Sequence, residues 1–136
     1  MPPARILVVD DEADLAAILA NRLRHAGYEV TIASDGLGAL EAIGRERPDL
    51  AVLDVQMPRL DGLETLRRLR ASESAGRMPV IVMTANAEPA DRARALASGA
   101  DECLAKPFET AELLARVRGL LGAGRDDSPA IRPDGG

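Results

Sequence analysis

Three stretches of the chain, Ile6 to Val9, Leu50 to Leu53 and Val80 to Met83, are apolar at every position (ILVV, LAVL, VIVM) and only four residues long. Continuous apolarity over strand length describes a strand covered on both faces, because a strand with one wet face would alternate. Two more short runs, Val30 to Ala33 and Cys103 to Ala105, alternate more and suit the less protected edges of the same sheet. Between the runs lie stretches with helical spacing, so the sequence reads β-α five times. That is the pattern of a doubly wound α/β fold, a five-stranded parallel sheet flanked by five helices. The right-handed crossover rule limits how such a sheet can be wound, and the order 2-1-3-4-5 sets strands one and three side by side at the crevice where ligands of open α/β folds collect.

The helical expectations rest on spacing. Leu15, Ile18, Leu19 and Leu23 form the apolar stripe of a first helix stopped at Gly27. Leu37, Leu40 and Ile43 mark a second helix, and Leu63, Leu66 and Leu69 a third that starts at Asp61-Gly62. The fourth opens at Pro89 and offers the core chiefly Leu96 and several alanines. The fifth presents Leu113, Leu114, Val117, Leu120 and Leu121 and ends at Gly122 and Gly124. From residue 123 to 136 only Ile131 is a large apolar residue, so residues 1–122 are read as one domain and 123–136 as a disordered tail or linker.

Composition removes several function classes. Seventeen basic against 22 acidic residues give a net charge of −5, and Tyr28 and Phe108 are the sole aromatics. Direct nucleic-acid contact through stacking or a general basic field is therefore disfavoured. A single cysteine and a single histidine provide neither an internal disulfide nor a zinc-finger ligand set, and no apolar run reaches the ~18 residues of a membrane span. A cytoplasmic protein is expected, without membrane contact.

The polar residues that end the strands carry the chemistry. ILVV runs into Asp10, Asp11 and Glu12, LAVL into Asp54, VIVM into Thr84 and CLA into Lys106. In a parallel sheet these carboxyl ends lie along one edge, so the residues converge. Crowded carboxylates repel unless a cation sits among them, and a hard divalent ion, Mg²⁺ with Mn²⁺ as a substitute, suits such a donor set. Mg²⁺ commonly completes its shell with phosphate oxygen, Lys106 and Thr84 suit a phosphoryl group, and Asp54 suits a covalent acceptor. Acidic residues at 10–12 also suit the positive end of a helix, but that reading leaves the other three strand ends unexplained. His25 is expected at the surface near a helix end, Arg67, Arg68 and Arg70 on a solvated helix face, and Cys103 as a small buried residue rather than a redox sensor.

With ILVVDDE, LDVQMPRLDG, VIVMTA and GADECLAKPF in this order, the chain resembles the receiver domain of two-component response regulators, a flavodoxin-like fold, from about Ile6 to Leu121. The resemblance implies that Asp54 accepts phosphate from a sensor histidine kinase or phosphotransfer protein. It implies that Asp11, Asp54 and the backbone carbonyl of Gln56 ligate Mg²⁺, with Asp10 orienting it. It also implies that Thr84 and Lys106 contact the phosphoryl oxygens and that Lys106-Pro107 is a cis peptide. Gln56 and Asn86 would flank the attacking water. Family members signal to a downstream protein or output domain through helix four, strand five and helix five, and some form homodimers there, for which Arg92, Glu102, Glu112 and Arg116 are candidate cross-subunit charges. The switch position three before Lys106, usually Tyr or Phe, is Cys103, so a smaller rearrangement around Leu96 is expected with Thr84. Two other classes stand beside this one. One is a degenerate receiver that only docks proteins, and the other a Mg²⁺-dependent phosphohydrolase, which usually needs a second carboxylate where Gln56 stands.

Overall fold

A computed structural model describes residues 3–55, 61–72, 76–85 and 88–125. Five strands alternate with five helices: β1 Arg5–Val9, α1 Ala13–His25, β2 Glu29–Ala33, α2 Gly36–Glu46, β3 Leu50–Asp54, α3 Gly62–Ala71, β4 Val80–Thr84, α4 Pro89–Ala97, β5 Glu102–Ala105 and α5 Thr110–Arg125. All pairings are parallel, in the order β2-β1-β3-β4-β5. The central strands β3 and β4 are buried at every residue, as their unbroken apolarity requires. β2 and β5 are the edges.

Alternate strand residues feed two cores. Ile6, Val8, Val52, Ile81, Met83 and Leu104 pack against Leu19 and Leu23 of α1 and Leu113, Val117 and Leu121 of α5. Leu7, Val9, Leu53, Val80, Val82 and Cys103 meet Ala39, Ala42 and Ile43 of α2, Leu66 and Leu69 of α3, and Ala95 of α4. Side chains one apart on a strand point to opposite faces, so each helix layer receives every second residue.

Three helical stripes differ from their expected positions. α1 buries Ala16 and Ala20 beside Leu19 and Leu23, and leaves Ile18 49% exposed. α2 seats Gly36, Ala39, Ala42 and Ile43 on the sheet, and Leu37 faces outward. α4 buries Ala95 alone, and Leu96, expected in the core, is 46% exposed. In each case small residues take the sheet-facing positions, letting the helix sit close and turning a larger neighbour to the rim. α5 runs through Gly122 and Gly124 to Arg125, where a stop was expected; residues 126–136 lie outside the described residues.

Arg70 is a further correction. Arg67 and Arg68 are exposed and pair with Glu64, as a solvated face would. The Arg70 guanidinium instead turns inward and donates to the carbonyls of Gly76 (3.1 Å), Met78 (2.5 Å) and Gly99 (2.8 and 2.9 Å) and to Asp101 (2.9 Å). It ties the end of α3 to the chain entering β4 and β5, and those carbonyls would otherwise lack strand partners.

Candidate phosphoacceptor site

The sheet register builds the site. Asp54 and Thr84 are the last residues of β3 and β4, Asp10 follows β1, and Lys106 follows β5. Backbone bonds extend the ladder past the strand ends: Asp10 N donates to Ala33 O (3.1 Å), Val55 N to Met83 O (2.9 Å) and Lys106 N to Thr84 O (2.8 Å). All four candidate residues therefore lie along one edge, fixed by the sheet rather than by free loops.

Asp10, Asp54 and Thr84 are buried, and Asp11 is exposed at the rim. One carboxylate oxygen from each of Asp10, Asp11 and Asp54 lies within 4.8 Å of the others. Lys106 Nζ is 3.2 Å from Asp54 Oδ2 and 3.8 Å from Asp10 Oδ2. Asp10 Oδ1 accepts the Glu12 N–H (2.9 Å), whereas Oδ2, fully buried, accepts no hydrogen bond. Burial is the main force pushing the Asp10 carboxyl above its ordinary value. The Glu12 N–H opposes it, the Asp54 charge adds to it, and the Lys106 ammonium opposes it.

Among the described residues three carboxylates face one ammonium at this edge, and a buried carboxylate oxygen without a hydrogen-bond partner points at the deficit. That donor set fits a hard divalent cation, which takes oxygen ligands and would satisfy Asp10 Oδ2. Helix capping accounts for little of Asp10, Asp11 and Glu12: Glu12 occupies the N-cap of α1 without a side-chain bond, and of the Asp10 oxygens only Oδ1 is used, on the Glu12 N–H. Asp35 and Asp61 do cap α2 and α3.

The structure thus brings together Asp10, Asp11, Asp54 and Lys106, and sets Thr84 beside them on β4. Gln56 and Asn86 fall outside the described residues. The Lys106-Pro107 peptide is cis. Cys103 is buried, and desolvation pushes its thiol up, against the pull of the Arg92 charge. Arg92 donates to the Cys103 carbonyl (2.9 Å), while Arg116 pairs with Glu102 and, at 3.6 Å, with Glu112. These candidate cross-subunit charges are engaged within the chain. Gly62, expected only as part of a helix start, lies directly against the Asp54 backbone. Its place at the first position of α3, the next described helix after β3, is the available signal.

A fold with strand order 2-1-3-4-5 and an acidic notch facing a lysine and a threonine at its carboxyl edge defines a class of phosphoacceptor signalling modules. Residues 6–118 match the response regulator receiver domain, and the chain belongs to that family. It is 48% identical over 132 residues to the response regulator MprA of Mycobacterium sp. (strain KMS), covering 97% of this chain and 55% of the relative. The corresponding protein of Mycobacterium leprae (strain TN) is 47% identical over 126 residues, covering 93% and 54%. The chain spans about half the length of the curated relatives it matches. Among solved structures, the Francisella response regulator 1452 receiver domain superposes with a TM-score of 0.84 at 34% identity, covering 89% of this chain and 98% of that one. The receiver domain of the sensor histidine kinase PA1611 from Pseudomonas aeruginosa PAO1, solved with magnesium coordinated in its active-site cleft, gives 0.82 at 38% identity, covering 88% and 98%.

Proposed function

We propose that Asp54 is the phosphoacceptor of this receiver, taking its phosphoryl group from a phosphohistidine on a sensor kinase or phosphotransfer protein. The observation that carries this reading is the Asp54 carboxylate itself, buried, 3.2 Å from Lys106 Nζ and within 4.8 Å of Asp10 and Asp11 oxygens. A carboxylate oxygen attacks phosphorus, the P–N bond to the donor imidazole breaks, and a P–O bond forms to give a mixed anhydride. Lys106 places a positive charge where the phosphoryl oxygens gather negative charge, and Thr84 supplies a hydroxyl donor from the adjacent strand end. Asp10, Asp11, Asp54 and the carbonyl of Gln56 would hold Mg²⁺ or Mn²⁺. The ion, when bound, neutralises the notch so that an anionic donor can approach. No external metabolite turns over: the acyl phosphate is the signal, and its hydrolysis resets the domain.

The response reads out at α4, β5 and α5 to a downstream protein or an output domain, in a cytoplasmic setting. With Cys103 in place of an aromatic ring, the switch rests on Thr84 and a limited movement of α4, the helix with one buried side chain. The module runs through α5 to Arg125, three residues past the boundary the sequence suggests, and the residues after it are read as a tail or linker. A homodimer through α4, β5 and α5 would exchange the Arg116 pairs for intersubunit ones.

Incubation with acetyl phosphate and Mg²⁺, followed by intact mass measurement, tests the assignment. A gain of one phosphoryl mass that Asp54→Asn abolishes is expected. Turnover of a phosphomonoester would favour a phosphohydrolase, and absence of both activities would leave a docking module.

A further inference from the structure

We infer that Gly62 is a positioning residue for Asp54, an inference that rests on Asp54 being the acceptor. A Cβ at Gly62 would stand 2.3 Å from the Asp54 carbonyl oxygen, 2.6 Å from Val55 Cα and 3.0 Å from the Asp54 carbonyl carbon. All three are backbone atoms, so no side-chain rotation relieves the contact. Gly62 starts α3 without a left-handed φ, and the glycine answers to space rather than to torsion. Helix propensity alone would favour alanine there.

Gly62 also holds what it touches. Its N–H donates to Val55 O (3.0 Å), while the Val55 N–H donates to Met83 O (2.9 Å). The peptide leaving Asp54 is thereby pinned sideways by β4 and closed from the other end by α3. Neither support yields easily. β3 is buried between β1 and β4, and the first turn of α3 is seated by the Asp61 carboxylate accepting from Glu64 N (2.9 Å) and by the buried Thr65 hydroxyl donating to Asp61 O (2.8 Å). The same closure therefore sets the backbone on which the Asp54 carboxylate stands.

A methyl at 62 forces the Asp54 carbonyl and α3 apart by about 0.7 Å, the step from 2.3 Å to the 3.0 Å that real Cβ atoms respect. A displacement of that size at a reacting group lowers rates by roughly 10- to 100-fold. The test uses the full chain and compares wild type, Gly62→Ala and Leu69→Val, the last a destabilising change two turns further along α3. Each is assayed by circular dichroism, by titration with Mg²⁺ alone, and by its rate of phosphorylation from acetyl phosphate. Gly62→Ala is expected to remain folded, bind Mg²⁺ several-fold more weakly and phosphorylate 10- to 100-fold more slowly, with Leu69→Val matching wild type in both. Should Gly62→Ala not fold, Asp61→Ala loosens the same turn without adding an atom, and a several-fold slower rate is expected from it. Wild-type rate and Mg²⁺ affinity in a folded Gly62→Ala (or in Asp61→Ala where it stands in), or an equal loss in Leu69→Val, overturns the inference. Failure of wild type to take up phosphate overturns the acceptor reading instead.

Discussion

Replacing Asp10 by Asn separates what the notch does for the fold from what it does for a metal. Asp10 is 1% exposed, its Oδ2 accepts no hydrogen bond, and the nearest cation among the described residues, Lys106 Nζ, is 3.8 Å away and closer to Asp54. An amide keeps the shape and the Oδ1 acceptor for the Glu12 N–H while discarding the charge. An unsatisfied buried polar group costs about 1–3 kcal/mol, and more when charged. In chelator, Asp10→Asn is therefore expected to be more stable than wild type by about 1–3 kcal/mol, roughly 3–10 °C in Tm for a domain of this length. The pH dependence follows from burial. Because the folded protein holds Asp10 above its ordinary 3.8, the folded state binds more proton than the unfolded state between those two values. Stability from this group therefore falls as pH rises through that window and stays lost at neutrality. The variant removes that slope. Saturating Mg²⁺ reverses the ranking, since a ligand at 1,000-fold its Kd adds about 4.1 kcal/mol to a folded state that binds it, more than the variant gains. Thermal and urea unfolding from pH 4 to 8, with chelator and with Mg²⁺, reads all of this. If Asp10→Asn in chelator is no more stable than wild type, or keeps the wild-type slope, the electrostatic account of the notch is wrong.

Lys106→Met removes the ammonium that faces Asp54 and Asp10; Mg²⁺ affinity measured by titration is expected to hold or rise, while phosphorylation followed by mass slows by roughly 10²- to 10³-fold. Arg70→Ala strips partners from three backbone carbonyls and Asp101 and is expected to lose about 2–4 kcal/mol in urea unfolding. Arg70→Lys recovers little of that, because an ammonium cannot reproduce the fork, and Mg²⁺ affinity stays unchanged since the clamp lies at the opposite edge of the sheet. Amide exchange with and without beryllofluoride is expected to change within α4 and at Thr84; unchanged protection across residues 84–106 counts against a switch carried by that helix.

Strand identity and the converging edge were legible because full burial leaves no choice of residue. A central parallel strand admits only apolar side chains until it reaches the ligand edge, so the first polar residue after ILVV, LAVL or VIVM marks that edge, and Asp54 and Thr84 stand there in the structure. Helix faces were read less well. Periodicity favours the largest apolar residues, yet distance to the sheet decides which side chain enters, and Ala16, Ala39 and Ala95 admit a closer approach than Ile18, Leu37 or Leu96. Two further features depend on tertiary proximity: the inward turn of Arg70, whose acceptors are set by the approaches to β4 and β5, and the contact of Gly62 with Asp54. Neither contact follows a helical or strand period, so periodicity does not link the residues.

The same logic explains why α4 is the element suited to respond. α5 buries Leu113, Val117 and Leu121, and α1 buries Leu19 and Leu23 with two alanines, each large side chain contributing about 1.5–3 kcal/mol. α4 buries one methyl group. Its other ties are polar: Arg92 to the Cys103 carbonyl on β5, and, beyond its last turn, the grip of Arg70 on Gly99, where a φ of +116° and a Cβ that would meet Arg70 Cγ at 2.7 Å leave little room for any other residue. A helix held by hydrogen bonds and a pinned terminus opens at low free energy without unfolding its neighbours. Its first residue, Pro89, comes five residues after Thr84, which ends the strand beside Asp54. On the proposed reading, a Thr84 hydroxyl drawn toward a phosphoryl group on Asp54 would act first on the helix that resists least, and the fixed end at Gly99 would turn that pull into a pivot rather than a detachment.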